Sequence, residues 1–139
     1  MEQKRLHMTP YNRTRSNRII RTTTLLLLST LFLYAASMKI FLSANALHQM
    51  WPWTASQPAL VTFTACTDIL LVIGLITTAF FRIPRTLPLI TFGGILIQMI
   101  AAIILHFSRH EAAFTGINWV IALIVIVLIR NHLKRRSKN

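Results

Sequence analysis

Asp68 poses the chemical question of this chain. It stands inside the apolar run 60–81, which is long enough to cross a bilayer as one helix. A carboxylate at the bilayer centre costs about 2.5–3.5 kcal/mol on insertion scales. A chain that keeps one there must pair it, protonate it, hold it near an interface or use it. The acid is also scarce, since the only others are Glu2 and Glu111. Four more polar side chains fall inside apolar stretches: Lys39, Gln98, His106 and Asn118. An ammonium, a carboxylate, an imidazole and two amides can together hold an anion or a carbonyl oxygen and move protons. The same groups also serve as hydrogen-bonding glue between membrane helices.

Other chemistries find less support. A metal site drawn from His48, His106, His110 and Asp68 lacks a short ligand spacing such as HxxxH, and no metal is expected. There is no Gly-rich phosphate loop, no nucleophile elbow and no CxxCH haem attachment, so no motif implies a cofactor. Cys66 is the single cysteine; without a partner it cannot run dithiol exchange, and it reads as a small packing residue. Catalytic residues are left unassigned.

The elements that position the polar set are membrane spans. The chain of 139 residues is 54% hydrophobic and 13% charged, with mean hydropathy +0.56, whereas a soluble domain carries about 25% charged residues. Its apolar residues come in long runs at about 22–42, 60–81, 87–107 and 112–129. The first run resembles a signal peptide in its leucines, but it is too long and carries Lys39 near its end, so it reads as a retained span. Residues 1–21 and 131–139 are basic tails, the first expected to be mobile or to lie on anionic headgroups. The net charge of +12 invites a nucleic-acid reading, but thirteen of the fifteen Lys and Arg flank the runs on one side in the manner of the positive-inside rule. The expectation is an all-α integral membrane protein, an up-down-up-down four-helix bundle with both termini cytoplasmic. Residues 43–59 form a loop on the other side whose Trp51-Pro52-Trp53 suits the headgroup belt.

Topology then predicts depth. Lys39 lies about 4–5 Å from the outer end of the first span and Asp68 about 12 Å from that of the second, an offset a lysine side chain can bridge. His106 falls at the outer end of the third span, Asn118 about 9 Å deep in the fourth, and Gln98 near the middle on the same side as Ala102 and His106. Ala35, Ala36 and Ser43 flank Lys39 at helical spacing and permit a close neighbour. An outer-leaflet pocket of Lys39, Asp68, Gln98, His106 and Asn118 follows. Each has a plainer reading: Lys39 can snorkel to the headgroups, His106 can be an interfacial histidine, Gln98 and Asn118 can be interhelical glue, and Asp68 can fix helix register.

Several of these stretches resemble a known family. Ala35-Ala36-Ser37-Met38-Lys39-Ile40 is similar to the small-residue-plus-lysine ending of the first helix in DoxX-like four-helix membrane proteins. Asp68-Ile69-Leu70-Leu71-Val72-Ile73-Gly74-Leu75 resembles their second helix, and Ala101-Ala102-Ile103-Ile104-Leu105-His106 with Arg109-His110-Glu111 their third-helix ending. Asn118 and Arg130 also fit. Where this chain has Asp68 many members have Glu, and where it has Ser37 many have Gly; the shorter acid reaches less far toward Lys39. Some members are linked to quinone-coupled sulfur oxidation or to membrane redox complexes.

The resemblance implies a small inner-membrane accessory subunit of a redox or quinone-linked complex. Its partners would be the bilayer and other membrane or redox subunits, with no nucleic acid; quinone is the ligand it suggests. Lys39 would hold a quinone oxygen or an anion, and Asp68 or His106 would pass protons. Two alternatives stand beside it: a scaffold or assembly factor without chemistry, and a small proton-coupled exporter. Four-helix exporters place their key acid in the first helix, where this chain has Lys39.

Overall fold

The computed structural model describes residues 10–81, 83, 84, 86–110 and 115–136, with backbone alone for 10–15, 135 and 136. Glu111, Arg82, Arg85 and the outermost parts of both basic tails lie outside the described residues. Every regular element among those described is helical. In chain order they are α1 (Pro10–Phe41), α2 (Ala44–Met50), a 3-10 turn (Pro52–Ala55), α3 (Pro58–Phe80), α4 (Thr86–Ser108) and α5 (Gly116–Arg136). Among the described residues four helical segments are long and apolar enough to cross a membrane: Ser16–Phe41, Pro58–Phe80, Thr86–Ser108 and Gly116–Lys134. At 1.5 Å per residue they measure about 28–39 Å, against a hydrocarbon core of about 30 Å.

The chain divides into two units, Met1–Phe81 and Arg82–Asn139. In the first, α1 packs along α3 and the connection between them is ordered. Helix α1 has no Gly or Pro after Pro10 and closes with the Leu42 amide donating to the Met38 carbonyl at 3.1 Å. Ser43 then caps α2, its Oγ accepting from the Ala46 amide at 3.4 Å. The Trp51 amide donates to Leu47 at 2.8 Å and ends α2, and extended Trp51 precedes Pro52 as a residue before proline should. Pro58 opens α3 within its first turn, where a missing N–H costs nothing. In the second unit α4 packs along α5.

Two expectations are revised. Residues 10–21 are helical and continue into the first span instead of forming a loose tail, and α5 likewise runs on to Arg136. Arg and Lys are good helix formers, so a helix already nucleated in the membrane has no reason to stop where polarity begins. The stretch 43–59 is not a plain loop but a short helix and a 3-10 turn, with Trp53 only 7% exposed.

The faces divide as a bilayer requires. On α1, Leu25, Leu28, Phe32 and Ala36 are buried at helical spacing, while Leu27, Leu33 and Tyr34 are exposed. On α4, Phe92, Ile95, Met99 and Ile103 are buried while Ile90, Ile97 and Ile104 are exposed. Hydroxyls in the spans turn back on their own helices: Thr24 donates to Ile20, Ser29 to Leu25, Ser37 to Leu33 and Thr77 to Ile73, at 2.6–2.9 Å. Such bonds satisfy polar groups that lipid cannot. Cys66 is exposed, so it lies off the packed face and not within it.

Candidate functional site

The packed face of α3 reads Val61, Ala65, Asp68, Val72, Leu75 and Thr78, spaced every three or four residues. The carboxylate therefore takes a place in a stripe otherwise made of apolar or small side chains. Its side chain is 1% exposed. On α1 the buried series Leu25, Leu28, Phe32, Ala36 leads by the same period to Lys39. Two helices that present these stripes to each other bring the two charges together.

The contact is direct. Lys39 Nζ donates to Asp68 Oδ2 at 2.6 Å, and the lysine side chain is 9% exposed. The expectation that an aspartate reaches less far than a glutamate is answered by the neighbouring residues. Ala36, 2% exposed one turn before Lys39, and Ala65, 4% exposed one turn before Asp68, let the helices approach closely enough for the short acid. The lysine stem supplies the rest of the reach and turns the ammonium to the carboxylate.

The connection closes over the pair. Lys39 Nζ lies 5.9 Å from the centroid of the Trp51 ring, within cation–π range. The 3-10 turn that follows is held by Thr54 Oγ1 donating to the Trp51 carbonyl at 2.8 Å and Ser56 Oγ donating to that of Trp53 at 3.1 Å. Between the end of α1, α2, this turn and the start of α3 lies a cleft of about 440 Å³. Lys39, Asn45, His48 and Thr54 supply its polar lining, Leu47 and Val61 part of its apolar lining. Asn45 and His48 are exposed at the rim, while Thr54 and Val61 are buried. Trp51, Asn45, His48 and Thr54 were not among the residues expected at the site. The tryptophan pair read as a headgroup anchor, and the connection was too short to show a helical period.

The remaining expected residues lie in the second unit. His106 continues the buried stripe of α4 and is 6% exposed; Gln98 on α4 and Asn118 on α5 are half-buried. Each of these placements suits a polar side chain turned from lipid. The structure thus joins Lys39 to Asp68 directly and places Gln98, His106 and Asn118 on the other helix pair.

What the first-unit arrangement can do chemically follows from its parts. An ammonium has three N–H donors, and the Asp68 bond uses one. The others can serve an acceptor oxygen of a ligand in the cleft, while the carboxylate keeps the cation in position. A model of the DoxX-like family matches residues 23–128, which takes in two spans whole, most of the other two, the ion pair and the cleft. No curated protein and no solved structure matches the sequence.

Proposed function

This chain belongs to the DoxX-like family of membrane proteins, and from that premise we propose that it acts as an accessory subunit of a redox or quinone-linked complex. In this proposal it is a multi-pass inner-membrane protein with both termini cytoplasmic, its spans alternating in direction. The Lys39–Asp68 pair then lies in the outer leaflet as the centre of a polar site, and Gln98, His106 and Asn118 are the polar groups of the second helix pair. The observation that carries the proposal is the ion pair itself: two opposite charges, 2.6 Å apart and nearly inaccessible to solvent, on packed membrane-spanning helices. Its chemical use is to present ammonium N–H groups to a quinone oxygen in an apolar setting, with Asp68 as the group that passes protons. Electrons are assigned to a partner subunit; this chain binds, orients and moves protons.

The test is purification of the full chain from its membrane in mild detergent, with quinone analysis and identification of co-purifying proteins. The expected result is quinone above the bilayer background together with membrane redox subunits. Asp68→Asn should leave folded protein in normal amount and lose the quinone. Quinone at background level, with no redox subunit retained, overturns the proposal. A non-catalytic scaffold is the second reading, favoured by the burial of the pair, because an ion pair between helices also fixes their register. In that case Asp68→Asn leaves the bound lipids unchanged.

A further inference from the structure

An ammonium has three N–H donors, and the Lys39 side chain, only 9% exposed, gives one of them to Asp68 Oδ2. Among the described residues no other acceptor takes a hydrogen bond from Nζ; its further neighbour is the face of the Trp51 ring, 5.9 Å away. Buried polar groups are as a rule satisfied, so two unspent donors on the wall of a cleft call for an acceptor inside it. The cleft, about 440 Å³, falls within the usual size range of small-ligand sites, roughly 300–1,000 Å³.

Charge decides which acceptor. Asp68, in contact with Nζ at 2.6 Å, cancels the cation. No Asp, Glu, Arg or second Lys lines the cleft. The wall therefore offers strong N–H donors and no net charge from the pair. An anion placed there would put a second negative group around one ammonium, with nothing to balance it in apolar surroundings. A cationic ligand would meet the ammonium itself. We infer that the cleft holds an uncharged carbonyl compound with an apolar body. A carbonyl oxygen has two lone pairs for the two remaining N–H groups. Leu42, Leu47, Pro58 and Val61 supply the apolar wall. Asn45 and His48, exposed at the rim, can bond a second oxygen such as an ester or a quinone carries. The inference rests on the reading above at one point, that the ammonium serves a ligand oxygen, and adds the ligand's charge and functional group. Two sources share this chemistry: the acyl ester of a bilayer lipid and a diffusible quinone.

The experiment uses the full chain in nanodiscs of a dialkyl ether phosphatidylcholine, a bilayer without carbonyls. The probe is methyl hexadecanoate with an isotopically labelled carbonyl, followed by infrared spectroscopy. A saturable population is expected whose carbonyl band lies at lower frequency than in protein-free discs. Hexadecanoate, ionised in alkaline buffer, should compete about tenfold less well or worse. Asp68→Asn removes the neutralising charge and should reverse that order, so that hexadecanoate displaces the ester. Lys39→Met should abolish the shifted band. Ala55→Phe adds bulk at the cleft wall and leaves the ion pair intact; it should weaken binding about tenfold or more and carries the test if Lys39→Met does not fold. Displacement of the ester by a decyl-substituted benzoquinone supports the site and assigns its ligand to quinone. A shifted band from ester-linked lipid that the quinone does not displace also supports it, assigns the ligand to the bilayer and removes the quinone reading alone. A carbonyl band unchanged from protein-free discs, tighter wild-type binding of hexadecanoate than of the ester, or wild-type binding by Ala55→Phe overturns the inference.

Discussion

Removing one partner of the Lys39–Asp68 pair should be costly in an unequal way. At 2.6 Å and an effective dielectric near 20, the gross attraction is about 6 kcal/mol. Most of that is offset by the desolvation of two nearly inaccessible ions, with side chains 9% and 1% exposed. Lys39→Met takes the ammonium away from a carboxylate inside the packed stripe of α3, and such breaks cost about 3–5 kcal/mol. Asp68→Leu leaves an ammonium on a long stem close to the end of α1, from which it can reach polar surroundings, so the expected loss is smaller, about 1–2 kcal/mol. The double variant Lys39→Met/Asp68→Leu removes both charges and should cost about 1 kcal/mol or less. The three values form a double-mutant cycle with a coupling of about 3 kcal/mol or more. The assay is reversible unfolding by steric trapping in bicelles or graded denaturant in mild detergent, with helicity by circular dichroism. Additive losses, or a Lys39→Met protein within about 0.5 kcal/mol of wild type, refute the claim that the pair is a coupled, buried unit.

Three further expectations rest on separate features. Reporter fusions at either terminus should give a cytoplasmic signal, and one placed between Ser43 and Ser56 an external one; an external terminus refutes the charge-based orientation. Trp51→Ala should lose about 0.5–2 kcal/mol of cation–π stabilisation and Trp51→Phe less, measured as unfolding free energy; equal effects would show that the ring acts through packing alone. Thr78 is 7% exposed, and its Oγ1 is buried without a hydrogen bond. Thr78→Val should therefore raise stability by about 1 kcal/mol in the same assay, and a loss would show that the hydroxyl is needed.

The parts of the fold legible in the sequence are those where punctuation and hydropathy coincide. The spans expected at 60–81 and 87–107 are observed at Pro58–Phe80 and Thr86–Ser108, because Pro58 opens one helix and Pro84 stands before the next. Hydropathy failed at the start of α1 and the end of α5, where the helix outlasts its apolar part. It also missed α2, whose seven residues are too few for a period to show. At the site, depth counting brought Lys39 within side-chain reach of Asp68, since two apolar spans expected to run in opposite directions leave few places for a charge. It could not supply the lateral geometry. That comes from Ala36 and Ala65, which set how near the helices come, and from the Ser43 cap and Pro52, which fold the connection back until Trp51 meets the ammonium.

Why the chain keeps two charges there, when a pair of leucines would pack the same stripe, is a question of free energy. A buried ion pair is poor value for stability, since well-packed apolar residues of similar volume are often neutral or better. In a membrane the argument strengthens, because insertion of each charge carries its own cost of about 2.5–3.5 kcal/mol at the bilayer centre. The stripe on either side of Asp68 shows that α3 packs well enough with Val72 and Leu75. Lys39 is also placed where the packed stripe of α1 ends and a cleft begins, with the acid held within the stripe of α3. An ion pair meant only to hold two helices in register could sit anywhere along them. One that borders a cleft keeps a desolvated ammonium in a defined position at its edge, and that position is what a ligand oxygen requires.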